Sequence, residues 1–257
     1  MIVDHYDLGL TWHQAIRSQG LSLAVVDDLA DRPMACDVVI NQNATPKLHQ
    51  LYPGLLLNAK TPLLLGTHYT LLREEFAETA HLIASTAPAV VPTGLIVFLG
   101  GADNNNLTLR VLEQVSIARP VGHVHVLLGE MNPHRSSVQA WCDEHGVDCG
   151  LAGSPLTDRL VSTRAAVVAC GMFAVELQAL GIPCVLVPLS EIQYTVARHF
   201  VRCGNALMLR PEQLDEGQSL APLLTQLLSR PWDNTREPSV ALDGANRVVQ
   251  RLLEITR

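Results

Sequence analysis

Aromatic side chains are scarce in this sequence, only 4% of its 257 residues. A core without them must be built from Leu, Val, Ile and Ala, which suits helices packed on a parallel sheet and argues against an aromatic-rich sandwich. Positive charge is also short: 18 Lys and Arg face 25 Asp and Glu, for a net charge of −7. Binding nucleic acid needs a basic surface that releases counterions, so no nucleic-acid partner is expected, and no Lys/Arg run marks a membrane surface. No apolar run is long enough to span a bilayer, and no signal peptide opens the chain. Cys36, Cys142, Cys149, Cys170, Cys184 and Cys203 form no Cys-x-x-Cys pair. Several lie inside apolar runs and read as buried free thiols of a reducing cytosol. These absences predict a soluble, cytoplasmic protein, and an apolar fraction of 48% is ample for its core.

What is present is an alternation of short β runs with helical segments, the pattern of a doubly wound parallel sheet. In the first part, Met1 to Tyr6 reads as a short strand running into a loop, followed by a helix around Trp12 to Ser18. The run Leu21 to Val26, then Val38 to Ile40 and Leu63 to Gly66, supply further strands. The usual opening of such a domain, a first strand with a Gly-rich turn and helix, is not found, so residues 1–84 are expected to form an incomplete Rossmann-like domain. Residues 85–93, rich in Ala, Thr and Pro, read as a linker. A second Rossmann-like domain over 94–257 then starts cleanly with the strand Leu95 to Leu99. The amphipathic tail from Ala241 to Ile255 is a helix that could pack back on the first domain.

Four stretches carry chemistry. Phe98 runs through Gly100, Gly101 and Asp103 into a helix from Leu107, and a glycine turn opening a helix is how backbone N–H groups meet a phosphate. A plain turn reads the same way. Ala169 to Pro183 repeats the arrangement, with Gly171 and Met172 at the helix start. Glu176, five residues beyond the glycine, reads either as a ribose contact or as a solvated helix residue. Pro188 to Gln193 reads as a polar loop past a strand's carboxyl end, where ligands of open α/β sheets bind, and it offers Glu191 and Gln193 to sugar hydroxyls. Finally, Asp4-His5-Tyr6-Asp7 sets a histidine among carboxylates, a setting for a general base, although neighbours on an extended chain point apart. His123 and His125 alternate on a strand without a nearby Cys or carboxylate and are not read as a zinc site.

These pieces in this order resemble the UDP-sugar hydrolases of pseudaminic acid synthesis. The resemblance rests on Val3-Asp4-His5-Tyr6, Val26-Asp27-Asp28-Leu29-Ala30-Asp31-Arg32-Pro33, Asn41-Gln42-Asn43, Leu65 to Phe76, Leu99 to Asp103, Gly171 to Pro183 and Asp243 to Val248. It implies a GT-B-like α/β fold of two Rossmann-like parallel-sheet domains, related to the peptidoglycan lipid-intermediate N-acetylglucosaminyltransferase. It further implies hydrolysis of a UDP-linked 2,4-diacetamido-2,4,6-trideoxy sugar, with no cofactor or metal, since no Asp-x-Asp motif appears. Gly100, Gly101, Asp103, Gly171, Met172, Glu176, Glu191 and Gln193 would then bind the nucleotide sugar, and His5 and Tyr6 would serve catalysis.

The chain departs from the family's pattern at three points. The Gly-x-Gly-His-x-x-Arg motif with the family's presumed base is not found, which leaves His5 or His68 as substitutes. Gly171-Met172-Phe173 replaces Gly-Ser-Thr, and Glu191-Ile192-Gln193 replaces Glu-Asn-Gln. Three readings therefore stay open: the hydrolase, a glycosyltransferase of the same fold, and a non-catalytic nucleotide-sugar binder or fragment. An incomplete first domain would expose apolar sheet surface and favour a homodimer through its open edge.

Overall fold

A computed structural model of the chain describes residues 1–86, 91–118, 122–153, 156–217, 219–233 and 238–255. The elements begin with β1 (Ile2–Asp4), α1 (Leu10–Ser18), β2 (Ala24–Val26), β3 (Val38–Asn41), β4 (Leu63–Leu65) and α2 (Glu74–Ser85). They continue with β5 (Gly94–Phe98), α3 (Leu107–Ala118), β6 (His123–Leu128), α4 (Arg135–His145), β7 (Asp148–Leu151), α5 (Thr157–Val161) and β8 (Thr163–Ala169). The last are α6 (Met172–Ala179), β9 (Cys184–Val187), α7 (Glu191–Arg202), β10 (Ala206–Met208), α8 (Leu220–Leu228) and α9 (Gly244–Ile255). The chain divides into two compact units, Met1–Arg73 with Val240–Arg257, and Glu74–Ser239.

The first unit holds a parallel sheet in the order β1-β2-β3-β4. Its strands alternate between two covered faces, because successive side chains point to opposite sides. Val3, Val25 and Val39 join Met34, Leu48 and Tyr52 on one face, with Trp12 and Ile16 of α1 packed against them. Ala24, Val38, Ile40 and Leu64 face the other way, onto Val248, Leu252 and Ile255 of α9. Gly244 opens α9 against Thr70, where an added Cβ would stand 2.3 Å from the Thr70 carbonyl oxygen. A side chain cannot be placed there, so the helix reaches this sheet only with glycine at that point.

The second unit holds a six-stranded parallel sheet in the order β10-β9-β8-β5-β6-β7. Strand order therefore reverses between β5 and β8, the switch point of a doubly wound sheet, where a crevice opens beyond the strands' carboxyl ends. All seven residues of β8 are buried, as a central strand covered on both faces requires. The core gathers Val97 and Leu99, Val111 and Leu112 of α3, Val167, Val185 and the α8 leucines Leu220, Leu224 and Leu227.

The division between units falls ahead of α2, whereas the sequence pattern suggests a linker at 85–93, of which 87–90 lie outside the described residues. Helix α2 buries Phe76, Thr79 and Ile83, and the Thr79 hydroxyl lies 3.3 Å from that of Thr157 in α5, so it packs with the second unit. Helix α7 was hidden in the same way: Glu191 opens twelve helical residues where the sequence reads as a loop. Among the described residues, no helix is long and apolar enough to cross a membrane.

Candidate functional site

Three strand-to-helix turns meet at the switch point. The first follows β5. Gly100 there has φ +101°, Asp103 φ 39° and Asn106 φ 51°. Glycine takes the left-handed region freely, and Asp and Asn are the other residues that tolerate it, so the composition of Gly-Gly-Ala-Asp-Asn-Asn-Asn is what this path requires. The Asp103 carboxylate accepts from the Leu107 amide (2.8 Å), the Thr108 amide (2.9 Å) and the Thr108 hydroxyl (2.6 Å). It thereby caps α3 and complements that helix's dipole. The turn is backed by Gly129, where a Cβ would come within 2.0 Å of the Gly101 carbonyl oxygen.

The second turn follows β8. Gly171 is the N-cap of α6, with φ −91° and ψ −162° and no side-chain cap. These angles suit any residue, and an added Cβ would meet nothing within 4 Å. Neither conformation nor packing within the protein calls for glycine here. What its absent side chain leaves is open room over the first amides of α6, two of which, at Met172 and Phe173, have no intrahelical partner by position. The third turn follows β9. There the Ser190 hydroxyl accepts from the Gln193 amide at 3.4 Å, and the Gln193 side chain accepts from the Leu189 amide at 2.9 Å. This near-reciprocal arrangement resembles a capping box and explains why α7 starts at Glu191.

Between the turns lies a cavity of about 720 Å³. Of the residues singled out from sequence, Gly100, Gly101, Asp103, Gly171, Met172 and Gln193 line it, and Glu176 and Glu191 do not. Glu176 is 7% exposed, which removes the solvated-helix reading: α6 is buried nearly all round. Glu191 is exposed at the first position of α7. The lining also includes Phe98 and Leu189, which lie inside the stretches singled out from sequence, and Tyr194 and Glu212, which do not. Phe98 meets Phe173 edge to face, with ring centroids 5.4 Å apart, and forms an apolar floor where the sequence suggested only glycines. Tyr194 and Glu212 depend on α7 and on the turn at Pro211, for which the local pattern gives little signal. Among the described residues, no Lys, Arg or His lines the cavity.

The first unit keeps His5 and Tyr6 together at the end of β1. The Tyr6 hydroxyl donates to Asp28 at 2.8 Å, and this hydrogen bond, with the carboxylate's charge, raises the phenol's pKa. The His5 Nδ1 accepts from the Asp7 amide at 3.0 Å. In the neutral ring this fixes the proton on Nε2, so His5 presents a donor and its lone pair is occupied. His68 lies in a short 3-10 turn after β4. Behind the edge, Asp27 is buried; Tyr52 donates to it at 2.8 Å and Arg32 lies 3.5 Å away. His125 also differs from its sequence reading: strand pairing sets it beside Asp148, with Nδ1 2.9 Å from the carboxylate. This is a strand-to-strand pair, and among the described residues no group of three or more potential ligands could hold a metal ion.

No family model matches the chain. Its fold is shared with solved proteins of the GT-B class, two Rossmann-like parallel-sheet units. Among them are a UDP-N-acetylglucosamine 2-epimerase from Rickettsia bellii (TM-score 0.59, 12% identity, 99% of this chain and 72% of that one) and MurG of Acinetobacter baumannii (0.53, 13%, 97% and 71%). The spinosyn rhamnosyltransferase SpnG in complex with spinosyn aglycone is a third (0.56, 15%, 99% and 69%). At these identities the likeness concerns the fold alone. A curated relative, the UDP-2,4-diacetamido-2,4,6-trideoxy-beta-L-altropyranose hydrolase of Campylobacter jejuni, is 25% identical over 146 residues, 56% of this chain and 49% of that protein. The matched part thus spans about half the length of that relative.

Proposed function

We propose that the chain binds a nucleotide sugar in the cavity at the β5/β8 switch point, and that its activity is hydrolysis of a UDP-linked 2,4-diacetamido-2,4,6-trideoxy sugar to free sugar and UDP, in the cytosol. The observation that carries the binding half is Gly171, a glycine that its own structure does not need, beside uncapped amides at the start of α6. Such amides and the helix dipole favour an anion. The hydrolytic half is supported by the matching relative from Campylobacter jejuni, whose name states that reaction.

In this reading water attacks the anomeric carbon, the carbon–oxygen bond to the diphosphate breaks, and UDP leaves. A diphosphate is a good leaving group, so the protein's task is to orient water and stabilise charge on the leaving oxygens. The α6 start takes the second task. Gln193 would offer its amide N–H to the sugar, because its oxygen is held by Leu189. Glu176, outside the cavity lining, would contact ribose only through a rearranged α6. His5 and Tyr6 take a narrower role than a base: both are hydrogen-bonding groups at the β1 end, and Tyr6 is oriented by Asp28.

Sugar transfer to an acceptor hydroxyl is the second reading, favoured by the transferases among the proteins of shared fold. A single experiment separates the two: incubation with the UDP-sugar in the absence of any acceptor. Stoichiometric release of UDP and free sugar supports hydrolysis. Release only when an acceptor is added supports transfer, and UDP binding without turnover under either condition leaves a nucleotide-sugar binder. A homodimer through the first unit's β1 edge belongs to the same proposal and is tested by the mass of the protein in solution.

A further inference from the structure

Away from this cavity, the second unit holds two thiols that its proposed chemistry does not use. Cys142 lies in the last turns of α4 and is fully buried in the core. Cys149 lies on β7, the edge strand of the six-stranded sheet, half-buried and packed against that same core. The alternation of β7 sends Asp148 and the Gly150 position toward Arg159, which pairs with Asp148 at 3.1 Å and covers Gly150. Cys149 therefore points the other way, toward α4, and packs against the same core that holds Cys142 in the last turn of that helix. A second cavity of about 560 Å³ reaches Cys149 from the surface, lined also by Asn132, Arg135, Ser136 and Gln139.

We propose that Cys149 and Cys142 form a hydroperoxide-sensitive dithiol, with Cys149 the attacking thiol at the end of the cavity and Cys142 the resolving thiol behind it. The Cys149 thiolate attacks the outer oxygen of a hydroperoxide. The O–O bond breaks, the alcohol or water leaves, and sulfur becomes a sulfenic acid. The Cys142 thiol then attacks that sulfur, the S–O bond breaks, and hydroxide leaves with the thiol's proton as water. Two thiols and one hydroperoxide thus give one disulfide, one alcohol (water when the oxidant is hydrogen peroxide) and one further water.

The division of roles follows from exposure: the cavity reaches Cys149, whereas Cys142 is fully buried. In keeping with it, the contact with Cys142 lowers the Cys149 thiol's pKa against the opposing effect of burial, while Cys142 is pushed up. A thiolate is the reactive form, so the accessible partner is also the reactive one. The other buried thiols differ: burial pushes Cys36, Cys170 and Cys184 up to about 12. Cys203 is exposed, with its sulfur 3.6 Å from His199 Nε2, and serves as a reference surface thiol.

The test treats the folded full chain with stoichiometric hydrogen peroxide, blocks remaining thiols, and maps the products by mass spectrometry. Cleavage after Arg135 and Arg159 yields one peptide carrying both cysteines. The expected product is that peptide lighter by two hydrogens, restored by a reductant, with loss of two of the six thiols before Cys203 reacts. In Cys142→Ala, Cys149 should instead accumulate as a sulfenic acid trapped by dimedone, and in Cys149→Ser the residue Cys142 should stay a thiol. The wild-type protein decides the matter even if a variant misfolds. Oxidation of Cys203 ahead of Cys149, or oxidation of Cys149 to its sulfinic acid with Cys142 still reduced, overturns the proposal.

Discussion

The sharpest consequence of the site geometry concerns Gly171→Ala. An alanine Cβ at this position meets no atom within 4 Å, and φ −91° with ψ −162° lies in the region open to every residue. As an N-cap, alanine is worse than glycine by about 0.5–1 kcal/mol. Removing a glycine from the unfolded chain returns about 0.4–1 kcal/mol. The two nearly cancel, so the urea midpoint should hardly move. Binding should respond quite differently. If the open room over the α6 amides is where a diphosphate approaches, the methyl group stands in its path, and the affinity for UDP should fall at least about tenfold, or 1.4 kcal/mol. Calorimetric titration of UDP into wild type and variant, beside urea unfolding of both, reads the two effects separately. Equal UDP affinity in two equally stable proteins would refute the argument that this glycine exists for a ligand. Failure of the wild type itself to bind UDP would instead remove the proposed function.

The opposite behaviour is expected of Gly129→Ala: its Cβ would collide with the Gly101 carbonyl, so stability should fall by about 3 kcal/mol or more, measured by denaturant unfolding. Tyr52→Phe keeps the ring but withdraws a hydrogen bond from buried Asp27, and should cost about 1.5–3 kcal/mol by the same measurement. His13 is fully buried, and burial, with Arg32 a smaller contributor, lowers its pKa from the ordinary value of 6.5. The neutral ring is the folded form, so its contribution is complete above the unfolded pKa and is lost as pH falls through the lower folded value. Stability measured from pH 7.5 downward should therefore drop more steeply in wild type than in His13→Leu, and parallel curves would contradict this.

Much of this architecture can be read from residue patterns, because parallel strands covered on both faces are short unbroken apolar runs. His123 to Leu128 and Cys184 to Val187 have the same limits in sequence and in structure. The paired glycines after β5 are equally legible, since a left-handed φ narrows the choice of residue so strongly. Where reading failed, the local signal was weak or shared. Helix α2, Glu74–Ser85, ends where the linker was expected to begin, and its packing with the second unit is not visible in local pattern. Helix α7 follows a serine cap that also reads as a loop. Glu176 shows a different limit: spacing puts it one and a half turns into α6, but spacing cannot tell that this helix is enclosed. His125 and Asp148, 23 residues apart in sequence, become neighbours only through strand register.

Among the described residues the cavity lining holds no cation, and this shapes what a ligand would meet there. A diphosphate brings at least two negative charges, and Asp103 spends its own charge on α3. Attraction then rests on oriented main chain. Each helix start carries about half a positive charge and is worth roughly 0.3–1 kcal/mol, up to ~2 where partly buried. Of the three starts only that of α6 is uncapped, since Asp103 occupies the first α3 amides and Ser190 caps α7, and one such end orients a phosphate group without holding a nucleotide alone. The rest of the affinity must come from contact area, and the lining supplies it: Phe98 and Phe173 stacked edge to face, with Leu189, Met172 and Tyr194 around them. On the proposed function, such a cavity would select by shape and apolar contact first, and the glycine turns would then decide how close the phosphates come to the chain.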